Sequence, residues 1–249
     1  MGVLKDKVAL VTGSSRGIGA AIAKLFASEG ASVAVHGRDV AMMSSTRQEI
    51  ETAGGRAIAV GADVTSFAEI ERMRLRIEAE LGPIDILVAN AGGSYSPPGP
   101  IEDMTEERWR TCIDGNLTAT FLTLKSFLPG MKQRRTGNIV TLSSAAGRRA
   151  HPRSPVAYAV AKAGVELLTQ DVAAQVGPFD IRANCIAPET ILTERNLERI
   201  PEAQRGQLVD AHPLKRLGTP EDIARAALSW CLTVRRGSPA SPWTSPEAR

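Results

Sequence analysis

Tyr158 and Lys162 stand four residues apart in Tyr158-Ala159-Val160-Ala161-Lys162, and Ser144 lies fourteen residues before the tyrosine. Side chains spaced by four share one face of a helix, so a phenol and an ammonium would meet there. A free phenol titrates at about 10 and is a poor base at neutral pH. A neighbouring cation stabilises the phenolate and lowers that pKa. The pair could therefore hold and release a proton. A serine hydroxyl can donate to a carbonyl oxygen and polarise it. A second constellation is the glycine turn Thr12-Gly13-Ser14-Ser15-Arg16-Gly17-Ile18-Gly19. Such a turn lets backbone N–H groups approach a pyrophosphate, and the helix that follows adds its positive dipole end. In this reading Gly13 allows the tight turn, Gly17 the close approach and Gly19 helix–strand packing. Each feature alone has a bland explanation: a surface Tyr/Lys pair, a loop serine, a glycine-rich connection.

The elements that must position these residues alternate along the chain. Short β-branched runs at Lys7–Thr12, Ser32–His36, Ala57–Val60, Ile84–Ala89, Asn138–Leu142 and Ile181–Ile186 read as strands. Helical spacing covers Gly17–Glu29, Met42–Ala53, Phe67–Leu81, Glu106–Met131 and Val156–Val176, and Glu194–Gln207 reads as a charged, helix-like lid. This alternation predicts a Rossmann-like α/β fold, a doubly wound parallel sheet in three layers. Ligands of such sheets sit beyond the carboxyl ends of the strands. The glycine turn, Asp63, Asn90, Ser144 and Pro188 all follow predicted strands.

The chain has 249 residues, 43% of them hydrophobic and 23% charged, with a net charge of +3. That describes one domain over residues 1–234, and the absence of a long basic stripe argues against nucleic acid as a partner. No apolar run approaches the roughly 18 residues of a membrane span. Cys112, Cys185 and Cys231 form no Cys-x-x-Cys pair, and His36, His151 and His212 show no metal spacing, so no metal site is expected. All three histidines read as solvent or loop residues. Lys5, Asp6 and Lys7 interrupt any signal-like apolar start, which makes a cytoplasmic location the expectation.

Thr12–Gly19, Asn90-Ala91-Gly92, Asn116, Ser144 and Tyr158-x-x-x-Lys162 together resemble the short-chain dehydrogenase/reductase family. Within it, the 3-oxoacyl-carrier-protein reductase group looks most similar. The resemblance runs from about Lys5 to Ala227, with motifs in family order and spacing. It implies an oxidoreductase that moves a hydride between a nicotinamide coenzyme and a carbonyl or secondary alcohol. Tyr158 would be the general acid/base and Lys162 would tune it and bind the nicotinamide ribose. Ser144, chosen over Ser143 by the family's Ser-x-x-Gly register, would polarise the carbonyl. Asn116 would hold a water linking Lys162 to solvent. The alternative is a protein that keeps the fold and coenzyme without turnover.

The resemblance also implies a coenzyme set of Gly13, Ser15, Arg16, Gly17, Ile18, Gly19, Arg38, Asp63, Val64, Asn90, Ala91, Gly92, Tyr158, Lys162, Pro188, Ile191 and Thr193. Asp63 would accept from the adenine, and the Ile191 backbone and Thr193 hydroxyl would take the carboxamide. Glu189 stands where the family has glycine, and a positive φ there would strain it. Arg38 and Arg16 offer two guanidinium groups to a ribose 2′-phosphate, which favours NADP(H). The counter-reading is NAD, with Asp39 on the ribose hydroxyls; Asp39 could equally cap the next helix. Arg148, Arg149 and Arg153 are either an anion attractor or solvated loop charges.

The tail, residues 235–249, departs from the family. Prolines in Ser238-Pro239-Ala240-Ser241-Pro242-Trp243-Thr244-Ser245-Pro246 forbid a central strand. One back-translation of Gly237–Arg249, read two bases on, gives Ile-Thr-Gly-Ile-Thr-Leu-Asp-Val-Ala-Gly-Gly-Ala, which matches the family's usual close. A reading-frame slip is the expectation drawn from this. Loss of the last strand would leave an exposed sheet edge. The expected assembly is then a homodimer through Glu106–Met131 and Val156–Val176, not a tetramer.

Overall fold

The computed structural model describes residues 2–150 and 154–232. The tail and its reading-frame question, together with His151 and Arg153, lie outside the described residues. Among the described residues six strands form one parallel sheet: β1 (Val8–Val11), β2 (Ser32–Gly37), β3 (Arg56–Gly61), β4 (Ile86–Ala89), β5 (Gly137–Leu142) and β6 (Ile181–Ile186). Their spatial order is β3-β2-β1-β4-β5-β6, with every adjacent pair parallel. The order reverses between β1 and β4, which opens a crevice at their carboxyl ends. Among the described residues β6 forms one edge.

Alternate residues of each strand feed opposite cores. Ala9, Val11, Val33, Val35, Ile86, Val88, Val140 and Leu142 pack under α1 (Gly17–Ser28), α2 (Val40–Thr52) and the C-terminal helix Pro220–Cys231. Leu10, Ala34, Leu87 and Ile139 face α3 (Phe67–Glu80) and two long helices that follow β4 and β5. Both faces are thus buried, as a parallel sheet requires.

The predicted helix Glu106–Met131 is divided. It comprises α4 (Glu106–Ile113), a π-turn at Asp114–Thr118, and α5 (Ala119–Arg134). Asn116 sits in the π-turn, a local widening found often at functional positions. The next helix, α6 (Val156–Val176), has the expected bounds. The charged lid is two helices, α7 (Glu194–Arg199) and α8 (Glu202–Ala211), broken at Pro201. The last, α9 (Pro220–Cys231), escaped the strand–helix reading. Its signal is a capping box, with Thr219 and Asp222 each bonding the other's backbone N–H.

Candidate active site

A cavity of about 310 Å³ opens at the switch between β1 and β4. Fourteen of the residues expected from sequence line it: Gly13, Arg16, Gly17, Ile18, Gly19, Asn90, Ala91, Gly92, Ser144, Tyr158, Lys162, Pro188, Ile191 and Thr193. Ser15 lines a smaller neighbouring cavity with Arg16 and Thr46. Arg38, Asp63, Val64 and Asn116 do not line the main cavity.

The glycine turn is held by groups on three strands. Gly13 has φ +65°, a conformation that glycine adopts without the Cβ penalty. A Cβ on Gly19 would stand 2.3 Å from the Gly13 carbonyl, so helix and turn touch directly. Asn90 Nδ2 donates to the Thr12 and Gly13 carbonyls at 2.9 and 3.1 Å. Thr12 Oγ1 accepts from the Asn90 and Ala91 N–H groups at 3.0 and 3.1 Å.

His36 corrects the sequence reading. It is buried at the end of β2, not a solvent or loop histidine. Its Nδ1 accepts from the Gly13 N–H at 3.0 Å, which leaves the proton on Nε2, 3.1 Å from the Ala62 carbonyl. Burial holds its pKa down to about 4, so it stays neutral and works as a fixed acceptor and donor. The Gly13 N–H is therefore spent inside the protein; ligand contacts fall to the later part of the turn.

Ser144 ends the β5 loop, and its Oγ accepts from the Ala146 N–H at 3.3 Å. Ser143 also borders the cavity, but its Oγ is engaged by the Lys162 carbonyl at 2.8 Å and Glu166 at 2.9 Å. Ala145 N–H donates to the Pro188 carbonyl at 2.8 Å, which ties this loop to the one after β6. Tyr158 and Lys162 share the inward face of α6. Burial raises the Tyr158 pKa, opposed by a hydrogen bond from Ser144. Here the structure departs from the sequence reading, in which the ammonium lowers it. Lys162 Nζ lies 5.7 Å from the tyrosine ring centre and donates to the Leu142 carbonyl at 2.7 Å. Its ammonium is thus engaged by that carbonyl.

Burial also brings the Lys162 pKa from 10.5 to about 8. An unfolded lysine keeps its proton up to about 10.4. Between those values the unfolded chain binds more protons, so this group's contribution to stability rises with pH. The Tm of the parent chain minus that of Lys162→Met is expected to climb between pH 8 and 10. Both proteins carry Cys112→Ala and Cys185→Ala, because these thiols feel the Lys162 charge and would not cancel in the difference. A flat or falling difference would mean that Lys162 is not desolvated.

Asn116 is fully buried behind Gly92 and Gly93. Its Oδ1 accepts from Gly93 N–H at 3.1 Å, and its Nδ2 donates to the Gly93 and Cys112 carbonyls at 2.8 Å each. Its side chain thus braces the β4 loop. Asp63 sits outside the cavity; Thr65 donates to it from backbone and side chain, and these bonds lower its pKa. Asp39 caps α2 by accepting from Met42 N–H at 3.1 Å. Glu189 is not among the left-handed residues, so the glycine replacement brings no strain. It bonds Arg149 at 2.9 Å and lies 3.6 Å from His212. Arg148 pairs with Glu166 at 3.0 Å, so both described loop arginines are neutralised within the chain. The Thr193 hydroxyl caps α7, accepting from Asn196 N–H at 3.3 Å. Arg195, in the cavity wall, was missed: one cation inside a charged helix carries no spacing signal.

Residues 7–204 match the model of the short chain dehydrogenase family. Glucose 1-dehydrogenase 2 of Bacillus subtilis is 36% identical over 92% of this chain and 89% of its own. The 3-oxoacyl-[acyl-carrier-protein] reductase of Chlamydia muridarum is 36% identical over 91% of this chain and 90% of its own. A structure of a 3-oxoacyl-[acyl-carrier protein] reductase from Brucella melitensis with bound NAD superposes with a TM-score of 0.82. It is 33% identical, over 92% of this chain and 85% of that one. A parallel sheet with its crevice at the switch point defines a dinucleotide-binding α/β protein. The chain belongs to the short-chain dehydrogenase/reductase family, NAD(P)-dependent oxidoreductases acting on CH–OH or C=O groups.

Proposed function

We propose that this chain reduces a ketone, or oxidises the matching secondary alcohol, with NADP(H) as coenzyme. The observation that carries this reading is the meeting of Ser144, Tyr158 and Lys162 in the cavity whose other wall is the glycine turn. The coenzyme fits these residues: Gly17 leaves the mouth of the turn without a Cβ, and Gly19 lets the helix touch the turn directly, which brings its N-terminus to the cavity. Arg16 flanks the turn, and Ile191 and Thr193 close the opposite side. When bound, the nicotinamide supplies or takes up the hydride. Ser144 orients the substrate oxygen, and Tyr158 Oη gives it a proton in reduction. The raised Tyr158 pKa keeps that proton in place at neutral pH. Lys162 holds the region positive at and below its own pKa of about 8.

Arg38 favours the 2′-phosphate form. It is exposed and makes no hydrogen bond or ion pair with any described residue. Asp39, the competing group for a ribose hydroxyl, is occupied at the α2 cap. Titration with both coenzymes tests this: NADPH is expected to bind at least tenfold tighter than NADH, and the reverse order would refute it. A ketone panel assayed by NADPH consumption tests turnover; binding without turnover on any ketone favours a non-catalytic coenzyme-binding protein.

A homodimer is proposed through α4–α5 and α6. Phe121 is 47% exposed, Val160 45% and Leu167 63%, all on these helices. Light scattering should give twice the monomer mass. A monomer or a tetramer would count against this interface. In the described residues Cys112, Cys185 and Cys231 are free thiols, in keeping with the proposed cytoplasmic setting. No described helix is long and apolar enough to cross a membrane.

A further inference from the structure

We propose that Arg195 binds an anionic oxygen group, a carboxylate or phosphate, on the carbonyl or alcohol substrate. This rests on the oxidoreductase reading and narrows its substrate class. Arg195 is the second residue of α7 and lines the same cavity as Ser144 and Tyr158. Its Nη1 lies 3.4 Å from where a Cβ on Gly93 would stand, so the guanidinium reaches across the mouth to the β4 loop. It makes no hydrogen bond or ion pair with any described residue, unlike the neighbouring Arg148 and Arg149, which hold Glu166 and Glu189.

The surroundings of Arg195 are unfavourable to a cation left alone. Lost hydration, Arg199 and Arg16 all lower its pKa, and only the phenols of Tyr95 and Tyr158 act the other way. No carboxylate of the cavity answers it. Glu189 is engaged by Arg149 and His212. Glu194 points to the glycine turn, its Oε2 3.8 Å from a Cβ placed on Gly17. A planar fork of donors with no acceptor among the described residues is matched by a carboxylate or phosphate, which it can bind through two parallel bonds. Coenzyme phosphates are the other anions in reach. Arg16 flanks the turn that would cradle them, whereas Arg195 sits with Gly93 and Tyr158 on the proton side.

The test uses short and long ketone skeletons, each ending in a carboxylate, a phosphate monoester or a neutral methyl ester. With NADPH, kcat/KM for the better charged ketone should exceed that of its ester at least tenfold. Arg195→Gln should cut that charged-to-ester ratio at least tenfold, chiefly through KM, and Arg195→Lys should restore part of it. The carboxylate and phosphate arms tell which anion is meant. A ratio that Arg195→Gln leaves unchanged overturns the proposal. So does a variant whose main defect is weaker NADPH binding, which would assign the guanidinium to the coenzyme. If no ketone is turned over, the reductase reading fails on its own. Quenching of bound NADPH fluorescence by the charged ketones then decides: binding lost in Arg195→Gln supports the anion site, and binding equal in both proteins sinks it.

Discussion

Tyr158→Phe is expected to lower kcat for ketone reduction by about 10³-fold, within the range for removing a positioned general acid. The phenol is the one group in the cavity that combines a proton to give with a position between Ser144 and Lys162. Burial is the largest influence and raises its pKa; the Ser144 hydrogen bond opposes it. The group is therefore protonated at neutral pH and ready for the reductive direction. Reduction should be nearly independent of pH from 6 to 8, whereas alcohol oxidation, which needs the phenolate, should accelerate as pH rises. The ring remains in the variant, so packing along α6 should hold, and the coenzyme Kd should weaken by no more than about tenfold, the loss of one hydrogen bond. Stopped-flow NADPH oxidation, paired with coenzyme titration, measures both. Retention of more than a tenth of the parent kcat would remove Tyr158 from its proposed role.

The sheet was legible because its strands are buried on both faces, and such strands read as continuous apolar runs in Val8–Val11 or Ile86–Ala89. The motifs were legible because they follow those runs, and fourteen of their residues share one cavity. What escaped the sequence depended on distances between segments remote in the chain. His36 reads as an ordinary residue at a strand end, yet its ring joins Gly13 on one side and Ala62 on the other. The direction of the Lys162 ammonium depends on the Leu142 carbonyl, twenty residues away. The π-turn at Asp114–Thr118 is a single widened turn inside an otherwise continuous helical run, which a 3.6-residue repeat does not resolve. Arg148 and Arg149 could be read from sequence as an anion attractor or as solvated loop charges; their partners, Glu166 and Glu189, could be matched to them only in space.

Gly19→Ala should abolish measurable coenzyme binding, a loss of at least about 10²-fold, or roughly 2.7 kcal/mol or more. The reason is local and steric. The added Cβ would stand 2.3 Å from the Gly13 carbonyl, 2.7 Å from Asn90 Nδ2 and 2.8 Å from Ser14 Cα. Two of those three neighbours are backbone, so the turn itself must move. Gly13 is fixed in turn by His36 and Asn90, so the strain passes into β2 and the β4 loop instead of being absorbed by a flexible side chain. Overpacking of this kind costs about 1–3 kcal/mol of stability, and the cradle for the phosphates is its first casualty. Gly206→Ala is the matched control. It lies within α8 with open space around the added Cβ, and should raise stability by about 0.5–1 kcal/mol through helix propensity. Thermal melts with and without NADPH compare the two: Gly19→Ala should lose the coenzyme-induced rise in Tm and Gly206→Ala should keep it. A Gly19→Ala protein that binds NADPH as the parent does would show that the turn and helix need not touch, and with that the phosphate end of the proposed site would fall.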